Sequence, residues 1–294
     1  MNRSKGFRVL VGLAALVLVL VAGFSYLRPW VPVWGSTPQE RARTLPGDEL
    51  VPPPLIASWT HGITIRAEPQ EVWPWIIQMG DVRGGFYSYT FIENFIAPEE
   101  YRNADRILPE LQDPAPGTAM IGEILRLREI RPNGHLLAAF ELPEVQMSWL
   151  WALEPAGPQR SRLVVRLRGH SQLEAPGLLM GAAAFFVNYG GFVMERRMMQ
   201  GIKVRAEGRG EPPWHMGAEV ALWLGAFGLG VAAAVAYLGR RAWWRGLAMG
   251  LGAVIVLLLL TFVQPPLWVR LALLLLLSAG VAWSFRSPPL ARRK

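Results

Sequence analysis

The chain has 294 residues, 52% of them hydrophobic, no cysteine and a formal net charge of +8. The missing cysteine rules out disulfides, thiolate nucleophiles and Cys-ligated metals. The charge is no nucleic-acid signature: eleven of the 30 basic residues but only one of the 22 acidic residues lie outside 28–216, leaving 19 basic and 21 acidic inside. The basicity therefore belongs to the flanks of apolar segments.

Residues 9–27 carry no charge for 19 positions. As a helix they would be about 28 Å long, close to the thickness of a bilayer core. The basic start MNRSKGFR and the aromatics Tyr26 and Trp30 read as the flanks of an uncleaved anchor. A signal peptide cut near Val21-Ala22-Gly23 is the rival reading. Residues 31–54 are rich in Pro, Gly and charge and read as a tether. SWTHGITIRA (58–67) alternates Ile63 and Ile65 with polar neighbours, as a half-buried strand does. In EPQEVWPWIIQMG, Pro69 and Glu71 suit the start of a helix. Its apolar stripe is Val72, Trp73, Ile76 and Ile77, and Gly80 ends it.

The aromatic stretch RGGFYSYTFIENF (83–95) comes next, then a polar segment over 98–118. Strands are expected over 121–130, 135–142, 146–154 and 161–168, separated by Pro132-Asn133-Gly134 and Pro155-Ala156-Gly157-Pro158. In the last strand Arg162, Val164, Arg166 and Arg168 alternate with Leu163, Val165 and Leu167, which predicts one wet and one dry face. Residues 177–208 read as a long helix kinked at Gly190-Gly191. Its second half sets Phe192, Met199 and Ile202 against Glu195, Arg196, Lys203 and Glu207. This order predicts an α+β domain, an antiparallel sheet gripping one long C-terminal helix.

Three more spans follow: 217–238, 246–263 and, after Gln264-Pro265-Pro266, the run from Leu267 to Phe285. Gly246 and Gly250, with Gly225, Gly228 and Gly230, offer close helix contact in lipid. Glu219 and Arg270 lie in the first turns of spans two and four and are expected to pair or to snorkel independently. With four spans, Arg3, Lys5 and Arg8, Arg240, Arg241 and Arg245, and the tail basic residues all fall on one side. The positive-inside rule makes that side the cytoplasm of a multi-pass plasma-membrane protein, with the middle domain extracytoplasmic.

GDELVPPP, ITIRAEPQEVWPWIIQMG, RGGFYSY, IEN, ADRILPELQ and FVMERRMMQGIKVRAE, in that order, resemble membrane-associated members of the SRPBCC superfamily. That superfamily includes the START-like lipid-transfer and polyketide cyclase/dehydrase proteins. The resemblance covers roughly 45–208 and implies a helix-grip fold around an apolar-ligand cavity; it transfers no catalytic site. The expected layout is an N-terminal transmembrane anchor (1–30), a linker (31–56), the START-like domain (57–210), three transmembrane helices (217–285) and a basic tail (286–294).

The four histidines, His61, His135, His170 and His215, are scattered without metal spacing. No phosphate, dinucleotide or GxSxG motif is present, so neither a cofactor nor a metal is expected. Glu93, set among aromatics, is the weak candidate for an acid or base, against a solvated helix position. Tyr87, Tyr89, Phe91, Trp149, Trp151, Arg166, Tyr189, Met194 and Met198 are candidates for cavity rim and lining, against plain core packing. Three functions follow: binding a lipid or other apolar molecule at the membrane, a cyclase, aromatase or hydrolase acting on a membrane-soluble substrate, or a non-catalytic accessory subunit for a protein partner.

Overall fold

The computed structural model describes residues 3–96, 102–172 and 177–290. The chain divides into two units, Pro29–Glu211 and the pair Met1–Arg28 with Pro212–Lys294. The first helix, α1 (Arg3–Trp30), is one of four helices long and apolar enough to cross a membrane.

After it a 3-10 turn, Val31–Val33, leads to α2 (Pro38–Ala42). Thr37 and Glu40 cap α2 reciprocally, each side chain accepting from the other's backbone N–H. The remaining elements are β1 (Ala57–Ile65), α3 (Pro69–Ile77), α4 (Thr90–Ile96), β2 (Ala119–Ile121), β3 (Leu125–Arg131), β4 (His135–Glu141), β5 (Val145–Pro155), β6 (Ser161–Ser171), α5 (Gly177–Phe185) and α6 (Gly191–Ala206). The strands form one sheet in the order β1-β6-β5-β4-β3-β2, with every neighbouring pair antiparallel. The strand expected over 121–130 is instead a tight hairpin. Gly122, at φ +50, turns the chain where an L side chain would be strained.

Alternation along the strands gives the sheet two distinct faces. The inner face carries Ile65, Leu127, Leu136, Trp151, Leu163 and Val165, packed with Val72, Ile76 and Ile77 of α3 and Met198, Met199 and Ile202 of α6. Its partner face is not wet. Leu45 packs on Leu137, Leu150, Ala152 and Val164. The alternating arginines meet acids from the same N-terminal stretch: Arg162 with Glu40 at 2.7 Å, Arg166 and Arg168 with Asp48 at 2.7 and 2.8 Å. Arg43 completes the seam on Glu154 at 2.7 Å. Residues 37–51, read in the sequence as tether, are therefore a cover layer on the sheet. Periodicity within β6 could not show it, because the partners lie more than a hundred residues away.

The helix expected over 177–208 is interrupted by a π turn, Phe186–Gly190. Both glycines keep right-handed helical angles, Gly190 at φ −67 and Gly191 at φ −55.

In the apolar unit, α7 (Trp214–Gly239), α8 (Trp243–Leu258) with its π extension Leu259–Val263, and α9 (Leu267–Phe285) pack around Ala226, Ala233, Ala253, Val256, Leu260, Leu277 and Val281. Small residues set the spacing, as is usual where lipid supplies no hydrophobic drive between helices. A Cβ on Gly246 would stand 2.3 Å from the backbone nitrogen of Tyr237, whereas one on Gly228 would meet nothing within 4 Å. Gly246→Val is thus expected to cost about 3 kcal/mol, the upper end for overpacking, and Gly228→Val close to nothing; thermal unfolding of the two variants in detergent checks the contrast. Glu219 and Arg270 do pair, at 2.7 Å and both buried, and Arg270 Nε also donates to the Pro265 carbonyl at 2.7 Å. Their pairing offsets the cost that either charge would carry alone among apolar helices.

Candidate functional site

The strand registers assemble an aromatic-polar patch on the inner face. Trp59 stands opposite Leu167, which stands opposite Trp149; in the next row His61 faces Val165 and Val165 faces Trp151. Directly opposed residues share a face, so His61 and three tryptophans converge although 90 residues separate the two strands in the chain. On α6, Glu195 lies three residues after Phe192 and four before Met199. That spacing puts it on the buried stripe. The sequence reading set Glu195 and Arg196 on the polar side of this helix; both are buried, as is Arg197.

Glu195 is the hub. Trp59 Nε1 donates to both carboxylate oxygens at 3.1 Å, Trp149 Nε1 donates to Oε2 at 2.9 Å, and His61 Nδ1 contacts Oε1 closely. His61 Nε2 lies 2.8 Å from the carbonyl oxygen of Val31. A carbonyl only accepts, so Nε2 carries a hydrogen. The Nδ1–Oε1 contact then needs one further proton, on the ring or on the carboxyl. Two indole donors and the imidazole thus converge on one carboxyl group sealed from water. Trp59 stacks on the imidazole and Phe192 meets it edge-on.

Arg196 and Arg197 extend the cluster along α6. The Arg196 guanidinium lies over the Trp34 and Trp30 rings at 4.3 and 5.6 Å. Burial pulls its pKa down to about 10, leaving it a cation at neutral pH. Arg197 binds Glu211 through two contacts of 2.8 Å.

The candidates chosen from sequence scatter. Trp149 belongs to the hub; its neighbour Trp151 is fully buried in the core, its Nε1 without a hydrogen-bond partner among the described residues. Tyr87 is wholly buried, at φ 57, donating to the Trp75 carbonyl at 3.0 Å and accepting from Gln78 at 2.9 Å. Burial pushes its phenol pKa up. The stretch 83–95 thus contributes a buried pin more than a rim. Met198 is core, Met194 is half-buried against the Ser88 hydroxyl, Tyr89 is buried against Phe91, Phe91 itself is exposed, and Tyr189 is half-buried beside Phe185. Arg166 lies on the other face of the sheet, under the cover layer, bonded to Asp48, Thr60 and the carbonyls of Glu40, Arg41 and Arg43. It lines no inner surface. Sequence reasoning passed over His61, Trp59 and Glu195; the available signal was a Trp-x-His pair on one strand face and an acid at apolar helix spacing.

Glu93 on α4 is half-buried, with Oε2 unbonded among the described residues, and burial raises its pKa to about 7. The folded chain therefore binds this proton more tightly than the unfolded chain does. The contribution is present below the unfolded carboxyl pKa and is lost as pH rises through about 7. Glu93→Gln is expected to flatten stability between about pH 5 and 8; unchanged pH dependence in thermal unfolding would contradict the burial.

No family model and no curated protein matches the chain. Among solved structures, a START superfamily protein from Mycobacterium smegmatis is similar over 49% of this chain and 97% of that one, at 12% identity and a TM-score of 0.26.

Proposed function

We propose that residues 57–210 form a START-like, helix-grip domain that binds a lipid or other apolar small molecule against the inner sheet face. The four apolar helices hold it at the membrane, and the basic flanks favour the extracytoplasmic side for it by the positive-inside rule. The observation that carries the reading is on the inner face itself. Phe140 and Met147, a directly opposed pair, and Trp149 in β5 stay half-buried on the inner face, as do Ile63 and Ile130. Half-buried apolar side chains that include Trp149, itself bonded to Glu195, suit an apolar body with one polar end. The sequence resemblance and the sheet-and-helix order support the same fold.

An acid–base enzyme is the second reading, favoured by the close His61–Glu195 contact on that face. Both imidazole nitrogens are already engaged, which ranks binding first.

Native mass spectrometry of the full chain released from detergent tests the proposal. A bound apolar species is expected on the wild type and absent from Met147→Trp, whose larger ring fills the open surface while the spans and their annular lipid stay the same. A wild type that carries no such species, and takes none from added phospholipids, fatty acids or sterols, would sink it.

A further inference from the structure

Residues 177–194 hold no charge over 18 positions, yet part of this stretch faces outward. Phe185, Phe186 and Val187 are 48%, 65% and 48% exposed. Gly177, Gly181 and Ala182 on α5 are exposed too, and a Cβ on either glycine would meet nothing within 4 Å. Three large apolar side chains in a row at the end of an uncharged helix make a contiguous patch, unlike scattered surface residues. The stretch does not cross a bilayer, because its helical path continues into α6, whose charged residues Glu195, Arg196 and Arg197 are buried in the domain.

The surroundings say what covers the patch. The π turn that holds Phe186 and Val187 touches Val31–Val33. Phe192, just beyond it, meets Trp30 edge-on at 5.3 Å. Trp30 ends the first spanning helix, and Tyr26 and Arg28 before it are exposed, the usual anchors at a membrane–water boundary. The patch thus adjoins the chain where it leaves the bilayer.

We propose that Phe185, Phe186 and Val187 insert into the lipid interface, so that the domain rests on the bilayer through a third contact besides its two chain connections. An apolar helix end of this kind sits at the boundary of headgroups and acyl chains. Asn188 does not oppose this: its side-chain amide donates to the Ala184 carbonyl at 2.7 Å. The inference stands whether or not the inner face binds a ligand.

The test uses the full chain, which has no cysteine to remove. Val187→Cys and, separately, Phe186→Cys are labelled with an environment-sensitive fluorophore and reconstituted into phosphatidylcholine vesicles, with Arg160→Cys, in the exposed β5–β6 turn, as the aqueous reference. The expected result is blue-shifted emission at 187 and 186, lost to spin-labelled lipid and protected from iodide, with the opposite pattern at 160. Iodide quenching at 186 and 187 like that at 160 would overturn the proposal. So would protection from both quenchers, which would place the patch against protein. Wild-type-like melting of each labelled variant separates these outcomes from misfolding.

Discussion

Replacing Glu195 with alanine is expected to destabilise the domain by about 3–5 kcal/mol, the range for breaking a buried ion pair by removing one partner. The variant leaves the His61 imidazole and the indole N–H groups of Trp59 and Trp149 facing a space with no acceptor. Glu195→Gln keeps one acceptor and roughly the same volume. It is expected to cost only about 1–2 kcal/mol. Tryptophan fluorescence during denaturant unfolding reads both, since two of the affected donors are the reporters. A cost below about 1 kcal/mol for the alanine variant would mean that the hub contributes little.

Arg166→Met is expected to act on the opposite face and to cost about 3 kcal/mol, the lower end for a broken buried pair. The lower end applies because Arg168 still holds Asp48 at 2.8 Å. What is lost is the set of donors to Asp48 and to the carbonyls of Glu40, Arg41 and Arg43. The first consequence is local: the cover layer over 37–51 loosens from the sheet. Limited proteolysis should cut this stretch, which holds Arg41 and Arg43, well before the rest of the domain. Cleavage there at the wild-type rate would contradict the role assigned to Arg166. The two variants also separate the faces of the sheet, because only the Glu195 change should alter binding on the inner face.

The apolar helices were legible because a long uncharged run has few other readings, and the sheet domain because alternation marks β1 and β6 while turn signals bound β4 and β5. What alternation cannot show is the depth of cover. Arg162, Arg166 and Arg168 looked solvated because their acids, Glu40 and Asp48, lie in a Pro-rich stretch with the composition of a linker. Glu195 was misread for a related reason. A charge on a helix is ordinarily assigned to the wet side, and only strand registers that bring Trp59, His61 and Trp149 together show that a carboxylate at that spacing has donors waiting. Tyr87 and Trp151 fit a lining or a core equally well in sequence, because aromatic residues suit both. Their burial depends on α3, α6 and β6, which no local pattern encodes.

Photo-crosslinking with diazirine-bearing fatty acid and phosphatidylcholine in vesicles containing the full chain reads out what the inner sheet face holds. Adducts are expected within β4 and β5, on peptides holding Phe140, Met147 or Trp149, besides those on the apolar helices, and are expected to be lost in Met147→Trp. Adducts confined to the four spans and the patch at Phe185, Phe186 and Val187 would contradict it, leaving a domain that touches the membrane and binds nothing from it.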